Sequence, residues 1–274
     1  MNNILRVDSI FINGGQMIVG KRDKHISIFE TFPLGWPNDP LRSKVDIIIN
    51  GSSTVNVPLP NNAGTMGPKV LGVFGGLDLH GIPHNITWTR LSSPALSGQT
   101  SILLSEPIDW TIGDEFIVTT TDTNLEHTER HRIANISSNK LTITTVNPLV
   151  YTHRVIHNTF PNGKNLHIAA AVGLLTRNIR VINPSQSSDL FGFRILVSDY
   201  STDVWDAVGR EYLNRYYKGY ARLSNVQFMN YGQFVDAANE DKREGIHLYN
   251  LGDWNASRPT YVDSCSFDGG SYSA

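Results

Sequence analysis

The sequence predicts an all-β chain whose last third is a parallel β-helix. Three observations carry that reading. Short β-branched runs alternate with Gly, Pro and Asn turn signals along the chain. Charged residues make up 18% of the 274, below the roughly 25% of an average globular chain, as suits an ordered β protein rich in Ser, Thr and Asn. A strand-turn unit recurs at 178–183, 225–230 and 264–268.

Taken in order, Ile10, Phe11 and Ile12 read as a strand, followed by the turn signal Asn13-Gly14-Gly15 and by a second run at Met17, Ile18 and Val19. Pro- and Gly-rich links such as Phe32-Pro33-Leu34-Gly35-Trp36-Pro37 separate the runs. Residues 45–49 are a compact apolar strand closed by Asn50-Gly51. Residues 72–81 set Gly72, Gly75, Gly76 and Gly81 into an alternating apolar segment. Glycine inside a strand marks a bulge, a bend or a close backbone approach. Gly75 and Gly76 are expected where the strand bends against a neighbour, at least one in a conformation costly for a residue bearing Cβ. Strands follow at 101–104, 116–120 and 141–146.

In the last third each repeat has a polar residue, apolar residues two apart, and Asn or Asp at the turn. Stacked coils would point Val226, Phe228, Cys265 and Phe267 inward, with Cys265 a small buried hydrophobe. A second set aligns 193–197 with 246–250. Residues 199–220 interrupt the pattern. Val204, Ala207, Val208 and Tyr212 lie near helical spacing behind Asp203, which predicts a projecting loop with a short helix.

Composition limits the function classes. A net charge of −2 supplies no basic field for nucleic acid or anionic membrane. No apolar run is long enough to span a bilayer. The single cysteine, Cys265, excludes an intramolecular disulfide framework. The start shows no leader, and by these facts alone a cytosolic location is the default. No triad, P-loop or dinucleotide fingerprint is present, so no cofactor is expected.

The segments Leu77-Asp78-Leu79-His80-Gly81, Ile86-Thr87-Trp88-Thr89-Arg90-Leu91, Asp109-Trp110, Gly113-Asp114-Glu115-Phe116, Thr121-Asp122 and 172–179 occur in this order. Together they resemble the eight-glycine (G8) extracellular domain of fibrocystin-like proteins. The resemblance implies a G8 domain at 1–165, truncated at its start, and right-handed parallel β-helix repeats at 166–274, truncated at their end. It implies a piece of a longer secreted or cell-surface chain, in which the leader and membrane anchor lie elsewhere and this segment does not itself insert. In that setting the sequons at Asn50, Asn85, Asn135 and Asn255 are glycosylation acceptors.

Three constellations can carry chemistry. Asp109 and Asp122 fall where glycan-active members of the family hold acidic residues, and a carboxylate pair is what glycoside cleavage requires. The alternative reads Asp109-Trp110 and Gly113-Asp114 as turn residues whose Asp side chains bond local backbone. In 126–131, an extended backbone would put His127, Glu129 and His131 on one face, a zinc-like trio. A solvated strand accounts for the same residues, and no metal site is expected. Trp205, Arg210, Tyr216, Tyr217 and Trp254 offer aromatic faces for sugar rings and a cation for uronate. Packing of these aromatics onto the solenoid flank is the alternative. Ala171 stands where glycan-active relatives carry an acid. The expectation is therefore a glycan- or protein-recognition module, with a hyaluronan-type depolymerase using Asp109 and Asp122 as the alternative.

Overall fold

Period-two alternation of apolar residues, cut every few residues by Gly, Asn and Asp, leaves the backbone few options besides short strands. The structure, a computed structural model, describes residues 3–19, 43–59, 64–184, 191–234, 243–252 and 259–271. Strands dominate, and the only helical element among the described residues is a 3-10 turn at Leu125–His127. No helix among them is long and apolar enough to cross a membrane. Contacts group the chain into one unit of 1–83 with 177–274 and a second of 84–176. The sequence division at 165 and 166 is a different partition.

The first unit holds two sheets with parallel pairing. One runs in the order β1 (Asn3–Val7), β3 (Val45–Ile49), β15 (Ile179–Ile182), β20 (Val226–Met229) and β23 (Ser266–Asp268). The other comprises β2 (Ile10–Val19), β6 (Val70–His80), β16 (Arg194–Ser198), β19 (Tyr220–Ser224), β21 (Ile246–Tyr249) and β22 (Tyr261–Asp263). The chain passes repeatedly between the two sheets, with β16 and β19, and again β21 and β22, successive in the second. Alternate residues of both face one core, which includes Val45, Ile47, Val181, Phe228, Leu77 and Leu79. A short antiparallel pair, β4 (Val57–Pro58) and β5 (Thr65–Gly67), precedes β6.

The first repeat set is in register. Ile179 lies opposite Val45 and Val226, and Val181 opposite Ile47 and Phe228. Phe228 lies opposite Phe267, with the rings stacked at 5.0 Å. Val226 and Phe228 are buried, and Cys265 and Phe267 pack on the same core. Burial pushes the Cys265 thiol up to about 11. The second set pairs two residues away from the sequence alignment: Ile195, not Phe193, faces Ile246. Phe193 instead bridges to Tyr231, so β16 starts one residue later. A shift of two keeps the same face inward.

On the outer faces, in-register Asp–Arg pairs join adjacent strands. Arg180 donates two hydrogen bonds of 2.7 Å to Asp46. Arg222 likewise grips Asp78 with both arms. The Leu-Asp-Leu-His segment thus sends its leucines into the core and its Asp78 to a guanidinium.

Three expectations are corrected. Asn13-Gly14-Gly15 does not end a strand. β2 runs through it, and a one-residue bulge forms where Asn13 faces Phe74 and Gln16 faces Gly76. Gly75 and Gly76 do not have positive φ, whereas Gly14 does, at 74°. Their role is close approach: a Cβ on Gly75 would lie 2.2 Å from the Gly15 carbonyl oxygen, and one on Gly76 2.3 Å from the Tyr220 hydroxyl. Residues 199–220 form no helix. They fold as the antiparallel hairpin β17 (Tyr200–Asp206) and β18 (Glu211–Tyr217), because cross-strand aromatic pairs repay extended pairing where a lone helical turn would bury nothing. The link at 32–37 lies outside the described residues.

The second unit is an antiparallel sheet in the order β7 (Trp88–Arg90), β14 (Ala171–Leu174), β9 (Glu115–Val118), β10 (Glu129–Ile136), β11 (Thr142–Thr145) and β8 (Ser101–Leu103). Its two edges meet at the Leu91–Leu104 bridge, which curls the sheet around Phe116, Val118, Ile133 and Val172. Trp110 closes one end and donates its indole N–H to the Ile86 carbonyl at 2.6 Å. A hairpin of β12 (Val155–Thr159) and β13 (Asn165–Ala169) completes the unit.

Candidate functional site

β9 is four residues long, and the two candidate catalytic carboxylates lie beyond its opposite ends. Asp109 is half-buried near the strand's start. Its Oδ2 accepts the Asn85 N–H at 2.8 Å, and its Oδ1 lies 3.6 Å from His84 Nδ1. Asp122 follows the strand's end and is exposed. Its Oδ1 accepts from the Asn124 N–H at 2.8 Å and its Oδ2 meets His127 Nδ1 at 2.7 Å. These bonds, the His127 contact first, hold the Asp122 carboxyl down at about 2. Asn124 engages the other His127 nitrogen at 3.0 Å, so this Asp–His couple is closed on itself around the 3-10 turn. Asp114 caps its own turn through Thr111. Asp114 and Asp122 are thus committed to their own turns, whereas Asp109 reaches across to Asn85 through one oxygen.

The 126–131 segment splits. Glu129 and His131 are on one buried face of β10, whereas His127 belongs to the 3-10 turn and stacks on Tyr151 at 4.0 Å. Glu129 is the centre of a buried network. Its oxygens accept the N–H groups of Val150 and Tyr151 at 2.7 Å, His131 Nε2 at 3.1 Å and His153 Nε2 at 3.0 Å. The other His153 nitrogen meets the Thr119 carbonyl at 2.9 Å. Burial raises the Glu129 carboxyl, but the bonds from Val150, Tyr151, His153 and His131 outweigh it, and the net shift is downward. No group of three or more potential ligands is arranged around a metal position among the described residues. His153 carries no sequence signal for this role, since its partner is 24 residues away.

The hairpin assembles the third constellation. Side chains of directly paired residues share a face. Trp205 opposite Tyr212, Asp203 opposite Asn214 and Ser201 opposite Tyr216 therefore form one face. Trp205, Tyr212 and Tyr216 are 52%, 70% and 62% exposed. Trp205 and Tyr212 meet edge to face at 5.1 Å. The Tyr216 hydroxyl donates to Asp199, whose bond raises its pKa, and Asn214 donates to Asp203 at 3.0 Å. Tyr217 lies on the other face, stacked on Tyr200 at 6.0 Å. Arg215 is on that other face too, opposite Thr202. Arg210 is in the exposed turn, in the left-handed region at φ 51°, beside an Asp206 carboxylate that caps Val208 and Gly209. Trp254 and Asn255 lie outside the described residues. Asn50, Asn85 and Asn135 are exposed.

Residues 1–92 match the G8 domain family. Over 240 residues the chain is 34% identical to human fibrocystin-L, an alignment covering 86% of this chain and 5% of the relative. Mouse fibrocystin-L is 33% identical over 85% of this chain, again 5% of the relative. A G8 domain-containing protein of Dictyostelium discoideum is 26% identical over 86% of this chain and 14% of its own length. The chain thus spans about a twentieth of the fibrocystin-L relatives it matches. Among solved structures, the tailspike gp61 of Pseudomonas phage phi297 aligns with 95% of this chain and 39% of its own, at 13% identity and a TM-score of 0.31, too low to carry a fold argument.

Proposed function

Starting from a chain that carries a G8 domain and shares homology with fibrocystin-L over most of its length, we propose that it is a recognition module of a large extracellular or cell-surface protein. In this reading the two parallel sheets are successive coils of a right-handed β-helix, and the β17–β18 hairpin is the binding element it displays. The observation that carries the reading is the single face bearing Trp205, Tyr212 and Tyr216, all exposed. Flat aromatic faces suit the C–H face of a sugar ring, with Asp203 and Asn214 between them for hydroxyls. That face bears the Asp203 carboxylate and no guanidinium group, and Arg215 is on the reverse. The substrate class favoured is therefore a neutral glycan rather than a polyuronate.

The test is a titration of the chain with neutral oligosaccharides and with hyaluronan, alongside Trp205→Ala and Tyr212→Ala. Neutral-glycan binding that each substitution weakens about tenfold or more, as loss of an aromatic anchor does, supports the reading. Binding that both variants retain overturns the hairpin as the site. Shortening of high-molecular-mass hyaluronan that Asp109→Asn abolishes would replace the module with the depolymerase alternative.

A further inference from the structure

The second unit carries a pair of histidines that no role above uses. His157 on β12 and His167 on β13 are directly opposite each other in the antiparallel register. Their rings are stacked at 4.2 Å and only 11° from parallel. Both are exposed. The neighbouring pair on the same face, Thr159 and Asn165, is satisfied within itself at 2.8 Å. Among the described residues no hydrogen bond or ion pair engages either imidazole, unlike His127, His131 and His153, whose nitrogens are bound to Asp122, Glu129 and Thr119.

An uncommitted imidazole pair of this geometry is a chelate in waiting. Imidazole nitrogen binds zinc-like ions at about 2.0–2.1 Å, so two cis ligands on one ion stand roughly 3 Å apart. Rings already parallel at 4.2 Å need only tilt toward each other to converge. The hairpin fixes both backbones, which removes most of the ordering cost of bringing two side chains to one ion. The geometry points to His157 and His167 as a two-imidazole site for a borderline transition-metal ion, of the copper(II), nickel(II) or zinc(II) class. Calcium and magnesium, which take oxygen ligands, are excluded by the donor set. Two protein ligands leave the other coordination positions to water, so the site is open and exchangeable.

Copper(II) is the probe, added alone to the full chain near neutral pH while the histidine ring signals are followed by NMR. Paramagnetic broadening should strike His157 and His167 first, at one equivalent. His157→Ala, His167→Ala and the double variant should each weaken binding by the same factor, about tenfold or more, since a chelate needs both rings. Both side chains are exposed, so the variants should keep the parent's circular dichroism, and His157→Asn with His167→Asn provides a second, polar pair. Additive losses from the two single variants would mean two independent one-imidazole contacts and would overturn the proposal. Unchanged binding in the double variant, or first broadening at other histidines, would overturn it as well.

Discussion

Replacing Glu129 by Gln tests the architecture of the second unit at its most connected side chain. The carboxylate accepts four bonds, two on each oxygen. Whichever oxygen becomes an amide nitrogen, that nitrogen then faces one backbone N–H and one imidazole nitrogen. One acceptor atom and its two bonds are lost, and the buried His153 no longer faces a carboxylate charge. Charge-assisted bonds contribute about 1.5–3 kcal/mol each, and removing one partner of a buried ionic network costs about 3–5 kcal/mol. The expected loss is about 3–5 kcal/mol. For a chain of this size, where 1 kcal/mol moves Tm by about 2–4 °C, that is a fall of roughly 6–20 °C. Urea unfolding followed by circular dichroism and by the fluorescence of Trp110, which packs in this core, measures it. Glu126→Gln, on an exposed residue of the adjacent turn, is the control and should stay within about 0.5 kcal/mol. A Glu129→Gln variant no less stable than that control would refute the claim that the network holds 149–153 to β10.

Phe228→Ala should cost about 3–5 kcal/mol, since the ring is fully buried and stacked on Phe267; a loss under about 1 kcal/mol in the same urea assay would place it outside the core. Gly75→Val should sharply lower folded yield, because its Cβ would meet the Gly15 carbonyl at 2.2 Å; a folded, equally stable valine variant would show the β2 bulge to be compliant. Acid should destabilise the chain. Burial raises the Asp78 carboxyl, but its contact with His80 and its bonds from Arg222 outweigh burial, and the net shift is downward, as for Glu129. A depressed carboxylate stabilises the fold above its unfolded value, here 3.8 for Asp78 and 4.5 for Glu129, and that contribution disappears as pH falls through the lower folded value. Stability measured from pH 6 to 2 should therefore fall below about pH 4.5; a flat profile there would contradict the assignment.

Local pattern revealed much of the first unit. The recurrence of Ile179 and Val181, Val226 and Phe228, Cys265 and Phe267 is enough to set the register of one sheet, because parallel in-register strands place like residues side by side. It fails at β16 by two residues, where Phe193 and Ile195 present the same apolar parity and only the Phe193–Tyr231 bridge distinguishes them. The hairpin was hidden for a similar reason: Val204, Val208 and Tyr212 fit a helical stripe, and only pairing across the turn, Trp205 with Tyr212, reveals strands. The acidic residues of the second unit illustrate a harder limit. Asp109 and Asp122 can be seen as carboxylates in sequence, but their partners His84, Asn124 and His127 and the strand between them decide whether they can act together. The Glu129 network depends on His153, a partner no spacing rule would join to it.

β6 has one further consequence. On one edge it is paired by β2 on both sides of the bulge; on the other it is served in relay, first by β16 at residues 70–73 and then by β19 at 76–80. Between those two partners the chain leaves the ladder, makes the hairpin, and returns at Gly219, whose N–H is tied to Asp199 at 3.0 Å. The points of departure and return are therefore pinned side by side. Tyr200 is clamped on Phe74 at 5.6 Å and on Tyr217. The arrangement works as a socket: its rim is fixed by the strands, and what is plugged into it from Asp203 to Asn214 can be lengthened, shortened or given a different chemistry without the underlying rungs being retuned.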